Sequence, residues 1–354
     1  MKLYSLNTPC WSDYDSKNTA GSELIKDPLS DHFTFMFYNF MKFGLVDDVT
    51  IFLEEKRIKR GITSKVFETE YGKMKIEPSS NISNMQLEEN QFVYAWSKWE
   101  ECESLKNNFV IVNPMFSGRN YPKCFKKGVH NYALIEGEPF SDTVPDWMPY
   151  SVFRYTTQDF CDITDDTRSK STKIYDWVMV SSFDPRKRHI QFLNEMVKKA
   201  QTKKMRGCII GRNPDNKGYR NSTHEVLESV KSIIKHYNLD VDIFLNVGQD
   251  LKKDLMLSSR CFVCASALDN GPRAMVEATQ AGLPLISMPH IGSSDLIIPE
   301  VTGEIVTDFQ EFPTVVEKVI KNEEQYDKHK NAKMLMPKNV YPNLIKNLRE
   351  RKDG

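Results

Sequence analysis

The chain has 354 residues, a length that suggests about two domains and allows each of them a sizeable core. Lysine plus arginine number 48, as do aspartate plus glutamate, so no net charge attracts nucleic acid or an anionic membrane. The seven cysteines have no regular spacing, which predicts a protein without disulfides. The sequence has no run of about 20 apolar residues and no apolar leader, so we predict a cytoplasmic protein without a transmembrane segment.

The first half of the chain carries five apolar runs that predict strands. One aromatic-rich stretch, residues 33–43, predicts a helix that belongs to the core. The predicted strands are residues 2–6, 48–53, 91–95, 108–112 and 132–135. Residues 1–165 are therefore expected to form a first α/β domain.

The second half alternates short strands with helices after a polar linker at residues 162–173. This alternation, over residues 174–320, is typical of a parallel sheet with right-handed crossovers. Cys261 and Cys264 lie within one of its apolar runs and have no second cysteine pair nearby, so no metal site is predicted. Ligands of such sheets bind at the carboxyl ends of the strands.

An acidic pair brackets the start of one helix at such a strand end. Asp269 and Glu277 are eight positions apart, Pro272 suits a first helical turn, and Gly282 suits the left-handed residue that ends a helix. The unpaired N–H groups of such a helix start bind phosphate, and Glu277 can reach the hydroxyls of an attached ribose. The spacing is equally consistent with a simple helix cap and with Glu277 as a solvated surface acid.

A basic cluster follows an earlier strand of the same predicted sheet. Arg186, Lys187 and Arg188 lie in a turn around Pro185, between the apolar run after Asp176 and an amphipathic helix. Taken alone, such a cluster is more often solvated surface than a binding site. Its position at a strand end, together with the acidic pair downstream, favours a phosphate contact.

These segments resemble retaining glycosyltransferase family 4, also called glycosyl transferases group 1. The resemblance lies in an acid, seven spacers and a glutamate, followed by a small-residue helix and a Gly-x-Pro-apolar strand. It implies the GT-B fold, in which two Rossmann-like domains face each other across a cleft. It also implies that residues 321–354 form helices that cross back to the first domain.

The resemblance assigns roles to individual residues. Glu277 stands where the family binds the donor ribose, and Asp269 stands near the sugar, where most of the family has the longer glutamate. Lys187 stands where a lysine neutralises the donor diphosphate. Ser182 occupies the position of the family's arginine, for which Arg186 or Arg188 can substitute from the same loop. Lys187, Asp269 and Glu277 are therefore the predicted catalytic residues.

Further residues are expected to contact the two substrates. The other residues predicted to bind the donor are Gly211, Arg212, Asn270, Gly271, Pro272, Arg273, Gly292 and Ser293. On the acceptor side, Gly21 and Ser22 faintly match the family's Gly-Gly-x-Glu loop, and Glu136 or Glu138 is predicted to position or deprotonate the incoming hydroxyl.

The predicted function is transfer of a hexosyl or pentosyl group from a nucleoside-diphosphate-sugar to a hydroxyl group of a glycan, with retention of configuration. The predicted partners are this donor and a carbohydrate acceptor; no cofactor and no metal is predicted, since the basic loop and the helix dipole take the place of a divalent ion. Two alternatives stay open. One is a non-hydrolysing nucleotide-sugar epimerase of the same fold, and the other is a catalytically silent sugar-binding relative.

Overall fold

The structure is a computed structural model that describes most of the chain. The described residues are 1–8, 29, 31–53, 64–78, 87–96, 105, 107–113, 127–135, 144–154, 156–161, 163, 165–200, 204–212, 221–266, 269, 273–290, 296–327 and 330–354. No helix within these ranges is long and apolar enough to cross a membrane.

The chain forms two compact units. Unit 1 comprises Met1–Gln158 and Pro337–Gly354, and unit 2 comprises Asp159–Met336. These bounds differ from the predicted ones at both ends of unit 2. The polar segment expected to be a linker contains a short helix, Asp165–Lys170, within unit 2. Only the last 18 residues, rather than residues 321–354, return to unit 1.

Unit 1 is built on an eight-stranded sheet with helices packed against it. The strands are β1 (Lys2–Thr8), β2 (Asp48–Leu53), β3 (Lys65–Thr69), β4 (Gly72–Pro78), β5 (Phe92–Trp96), β6 (Phe109–Asn113), β7 (Tyr132–Ile135) and β8 (Tyr150–Val152). Their order is β3-β4-β2-β1-β5-β6-β7-β8, and every neighbouring pair is parallel except β3 with β4. The five predicted strands are confirmed, and β3, β4 and β8 were not predicted.

The core of unit 1 combines residues from both ends of the chain. The predicted aromatic helix is confirmed as α1 (His32–Lys42), and the side chain of Asp31 caps it by accepting the N–H of Phe33 at 3.0 Å. The C-terminal helix α10 (Pro337–Asp353) buries Tyr341, whose ring packs edge-on against that of Phe40 at a centroid distance of 5.9 Å. The last helix of the chain therefore completes the core that the first helix begins.

Unit 2 is a six-stranded, wholly parallel sheet. Its strands are β9 (Tyr175–Val180), β10 (Gly207–Gly211), β11 (Val241–Leu245), β12 (Ser259–Cys264), β13 (Leu285–Ser287) and β14 (Gly303–Ile305). Its helices are α2 (Gln158–Cys161), α3 (Asp165–Lys170), α4 (His189–Ala200), α5 (Asn221–His236), α6 (Gln249–Leu257), α7 (Arg273–Gln280), α8 (Phe312–Lys321) and α9 (Lys330–Met334). The predicted alternation of strand and helix is confirmed.

The strand order of unit 2 fixes where a ligand can enter. The order β11-β10-β9-β12-β13-β14 runs outward in both directions from the adjacent central strands β9 and β12. Successive connections leave these two strands toward opposite edges, so a crevice opens at their carboxyl ends. Lys187 follows β9 and Asp269 follows β12, so two of the three predicted catalytic residues lie at this crevice.

Close packing at the centre of this sheet depends on one glycine. Trp177 of β9 is fully buried, and its ring meets that of Phe192 edge-on at 5.0 Å. On the neighbouring strand, a Cβ atom at Gly207 would lie 2.0 Å from Cζ2 of Trp177. A side chain at Gly207 therefore has no room unless the tryptophan moves.

The predicted end of the acidic-motif helix is confirmed. Gly282 has a φ of +69°, in the left-handed region, and the N–H of Leu283 donates to the carbonyl of Ala278 at 2.9 Å. This bond is typical of a helix that ends at a left-handed glycine. It sets the turn that leads from α7 into β13.

Candidate functional site

A pocket lies at the carboxyl ends of β9 and β12. The end of β9 supplies Ser181, and the end of β12 supplies Cys264 and Ser266. The side chains of Lys187, Asp269 and Ala274 close the pocket from the two following loops and from α7. The pocket therefore coincides with the crevice that the strand order predicts.

Lys187 and Asp269 form an ion pair across this pocket. The Lys187 ammonium contacts Oδ2 of Asp269, and only about a fifth of either side chain is exposed, 20% and 16%. The lysine is held by a short 3-10 turn, Pro185–Lys187, in which Asp184 accepts the N–H of Arg186 at 2.9 Å. The residues are 82 positions apart in sequence, and adjacent parallel strands bring them together. Two residues that the sequence predicts at the ends of different strands therefore lie in contact.

The two arginines beside Lys187 have other contacts. Arg186 forms two hydrogen bonds of 2.9 Å with the carboxylate of Asp184, and this pairing lowers the pKa of Asp184. Arg188 has a left-handed φ of 55° and lies over the Phe309 ring, 5.4 Å from its centre. Within the described residues, neither arginine lines the pocket, so Lys187 is the cation that this loop presents there.

Other predicted donor contacts have different positions. Ser182 is half-buried in the loop after β9, and Arg212 is half-buried after β10. Gly211 packs closely, because a Cβ there would lie 2.5 Å from the Phe183 ring and 2.9 Å from the carbonyl oxygen of Ser181. This packing leaves no room for a side chain at Gly211 unless its neighbours move.

Glu277 forms a second, more deeply buried ion pair. It is 6% exposed, so the interpretation of this residue as a solvated surface acid is wrong. Its Oε1 accepts from the ammonium of Lys252 at 2.8 Å, and the side chains are 16% and 8% exposed. Lys252 lies on α6 and was not predicted from the sequence. The site therefore contains two lysine–carboxylate pairs.

A buried histidine supports the turn that holds Lys187. His189, the first residue of α4, is 1% exposed; its Nε2 is 2.9 Å from Oγ of Ser181, and its ring stacks on Phe183 at 5.0 Å. These contacts fasten the start of α4 to the end of β9. This role was not predicted from the sequence, because a lone histidine after a basic cluster resembles ordinary surface.

The buried imidazole makes the stability of unit 2 depend on pH. Burial, and secondarily the charge of Lys187, lower the pKa of His189 from its ordinary 6.5 to about 3. Between these values the unfolded chain binds a proton that the folded chain does not, so the free energy of unfolding falls as the pH is lowered. When the pH is lowered from ~7.5 to ~5, the free energy of unfolding of the wild type is expected to fall by about 2 kcal/mol more than that of His189→Gln. Urea unfolding at both pH values measures this difference, and equal losses would contradict it.

A second buried histidine contacts Cys264, which lines the pocket. His290 has its Nε2 3.4 Å from Sγ of Cys264 and 3.3 Å from Oγ of Ser287. Burial raises the pKa of the Cys264 thiol, which keeps it protonated and unreactive. Among the described residues, no group of three or more histidine, cysteine or acidic side chains is arranged to hold a metal ion.

Several predicted site residues lie outside the described ranges. These are Gly21, Ser22, Glu136, Glu138, Asn270, Gly271, Pro272, Gly292 and Ser293. Arg273 is described and is the first residue of α7. The described part of the site thus comprises the two ion pairs, the β9 loop and the first turns of α6 and α7.

Comparison with known proteins gives one family and several similar folds. Residues 164–334 match the family of glycosyl transferases group 1. The structure is similar to that of AviGT4, a glycosyltransferase involved in avilamycin A biosynthesis, with 12% sequence identity and a TM-score of 0.64. The match covers 99% of this chain and 97% of the AviGT4 chain. No curated protein matches the sequence.

Two further solved structures carry sugars or nucleotides. Anabaena Alr3699/HepE, solved with UDP and glucose, is 11% identical with a TM-score of 0.61 and covers 99% of this chain and 98% of its own. The UDP-forming α,α-trehalose-phosphate synthase of Burkholderia xenovorans, solved with glucose-6-phosphate, is 9% identical with a TM-score of 0.63, and each chain covers 100% of the other. At these identities the likeness concerns the fold alone.

Proposed function

We propose that this chain, which has the GT-B fold and matches the glycosyl transferases group 1 over residues 164–334, transfers a sugar from a nucleoside-diphosphate donor to a hydroxyl group. The observation that carries the proposal is the Lys187–Asp269 pair at the carboxyl ends of β9 and β12. A cation held in a pocket at this point of a doubly wound sheet suits the phosphates of a nucleotide.

Lys187, Asp269 and Glu277 each have a part in the proposed reaction. The bond between the anomeric carbon and the diphosphate oxygen breaks, a bond to the acceptor oxygen forms, and the acceptor proton leaves with a base or with the diphosphate. Lys187 stabilises the negative charge that develops on the departing diphosphate, and the N-terminus of α7 adds its positive dipole end. Asp269 orients both Lys187 and the sugar. Glu277 binds the ribose hydroxyls.

The finer parts of the proposal come from the resemblance and from similar folds. Retention of configuration and a glycan acceptor follow the family that the acidic motif resembles. Lysine and helix dipole together supply charge stabilisation of the kind that a divalent metal supplies at other phosphoryl sites. Because HepE was solved with UDP and the trehalose-phosphate synthase is UDP-forming, a uridine diphosphate donor is the first to test.

Nucleotide binding tests the proposal directly. Calorimetric titration with UDP, GDP, ADP and dTDP is expected to give binding of at least one nucleotide, weakened about tenfold or more in Glu277→Ala, since hydrogen bonds to a charged group are lost. Glu195→Ala is the matched control, because Glu195 lies on α4 in an ion pair with Lys198. It is expected to bind as the wild type does.

The outcomes separate the proposal from its rivals. Release of free nucleoside diphosphate from the donor in the presence of an acceptor mixture supports a transferase. Interconversion of nucleotide-sugars without such release would support the epimerase. If the folded wild-type protein binds none of the four nucleotides, the transferase proposal fails and a silent relative is the better account.

A further inference from the structure

Lys252 is the residue that fixes the carboxylate of Glu277. The two side chains meet at 2.8 Å on neighbouring helices of unit 2, and both are largely withdrawn from solvent. The ammonium also lies 5.3 Å from the centre of the Phe160 ring, and Phe160 is 1% exposed. A lysine held by a carboxylate and by an aromatic face has little freedom to turn away, so Glu277 has a defined orientation.

The position of Lys252 on its helix argues against a purely local stabilising role. It is the fourth residue of α6, close to the N-terminus, where the helix dipole disfavours a positive charge. A buried ion pair is also weak evidence for stability, because removing two charges from water offsets much of their attraction. Such a pair is better explained by what Glu277 does beside the pocket.

The helix α7 places Glu277 at the right distance from the pocket for a ribose. Ala274 lines the pocket, and Glu277 is three residues further along, on the same face of the helix. Three residues of an α-helix advance about 4.5 Å, so Glu277 lies just beyond the pocket wall along α7. A nucleotide whose phosphates lie at Lys187 therefore directs its ribose toward Glu277.

We propose that Lys252 is a positioning residue that holds Glu277 for the 2′ and 3′ hydroxyls of a ribose, so that the site selects ribonucleoside diphosphates over their 2′-deoxy counterparts. The inference rests on the function proposed above and narrows its donor class. Lys252 occupies Oε1 of Glu277, and the remaining lone pairs accept the two hydroxyl hydrogens. A 2′-deoxyribose leaves a buried acceptor without its partner, and sites built to bind a hydroxyl reject analogues that lack it.

The inference is tested by titrating the protein with UDP and with 2′-deoxy-UDP, and then with GDP and with 2′-deoxy-GDP. For the base that binds, wild-type protein is expected to prefer the ribonucleotide at least about tenfold. Lys252→Met is expected to reduce this preference to about threefold or less, whereas Lys252→Arg, which retains the charge, is expected to keep most of it. The adjacent Lys253→Met is the control and is expected to leave both affinities unchanged.

A kinetic measurement separates positioning from a general loss of structure. In Lys252→Met, the KM for the donor is expected to rise while kcat at saturating donor changes less, because the ribose contact is made before the reaction begins. Thermal unfolding of each variant identifies any that do not fold. The wild-type preference itself remains a test that needs no substitution.

The possible failures are distinguishable. Equal affinity of wild-type protein for the ribo and deoxy nucleotides, or an unchanged preference in folded Lys252→Met, would overturn this inference alone. Absence of binding of every ribonucleotide by the folded wild-type protein would overturn the proposed function and this inference with it.

Discussion

Lys187→Met is expected to lower kcat for sugar transfer about a hundredfold to a thousandfold. The substitution keeps an unbranched side chain and removes the one cation that the β9 loop presents to the described pocket. Preorganised charge acts on the diphosphate as it departs, and the loss of one such group typically has an effect of this size. The measurement is the initial rate of nucleoside diphosphate release at saturating donor and acceptor.

Lys198→Met is the matched control for this prediction. Lys198 lies on α4, is 65% exposed and pairs with Glu195 at 2.7 Å. Exposed pairs of this kind contribute little to stability, and Lys198 does not line the pocket. The initial rate of Lys198→Met is therefore expected to equal that of the wild type. A folded Lys187→Met protein that retains more than about a tenth of the wild-type kcat would rule out the assigned role.

Trp177→Ala is expected to lower the free energy of unfolding of unit 2 by about 3–5 kcal/mol. The ring is fully buried between β10 and Phe192, so its removal leaves a cavity as well as lost apolar contact. Urea denaturation followed by circular dichroism measures the change, and Trp147→Ala, at a partly exposed ring in unit 1, is the control. A loss of less than about 1 kcal/mol would contradict the described packing.

Gly207 provides a second arm of the same experiment. In the wild-type background, Gly207→Ala is expected to destabilise by about 1–3 kcal/mol, because its Cβ would lie 2.0 Å from the Trp177 ring. In the Trp177→Ala background this penalty is expected to disappear. Additive effects in this double-mutant cycle would show that the two residues do not compete for one space.

Unit 2 was predictable from the sequence because local and global patterns agree there. Short apolar runs alternate with helices, and each predicted strand in this unit is observed. In unit 1, β3 and β4 were missed. The edge strand β3 (Lys65–Thr69) is mostly exposed and joins the sheet through its backbone, so its side chains carry little apolar alternation. The three-residue β8 is too short to give a pattern.

The site was predictable only where strand order alone decides proximity. Lys187 and Asp269 each follow a strand, and parallel packing brings those strand ends together. Lys252 reaches Glu277 from a different helix, and His189 reaches Ser181 through a turn. Neither contact follows from spacing, since both depend on how helices pack against the sheet. Sequence alone therefore identified Lys187 and the two acids, and missed Lys252 and His189.

The last helix, α10, has a consequence for how the chain is made. It completes the core of unit 1 with Tyr341 and Leu344, although all of unit 2, Asp159–Met336, precedes it in the sequence. A chain emerging from the ribosome therefore exposes an uncovered apolar face on α1 while unit 2 is being synthesised. Unit 2 is continuous and can finish folding first. We therefore expect unit 2 to complete its fold before unit 1, the reverse of the usual order in which the N-terminal domain folds first during translation.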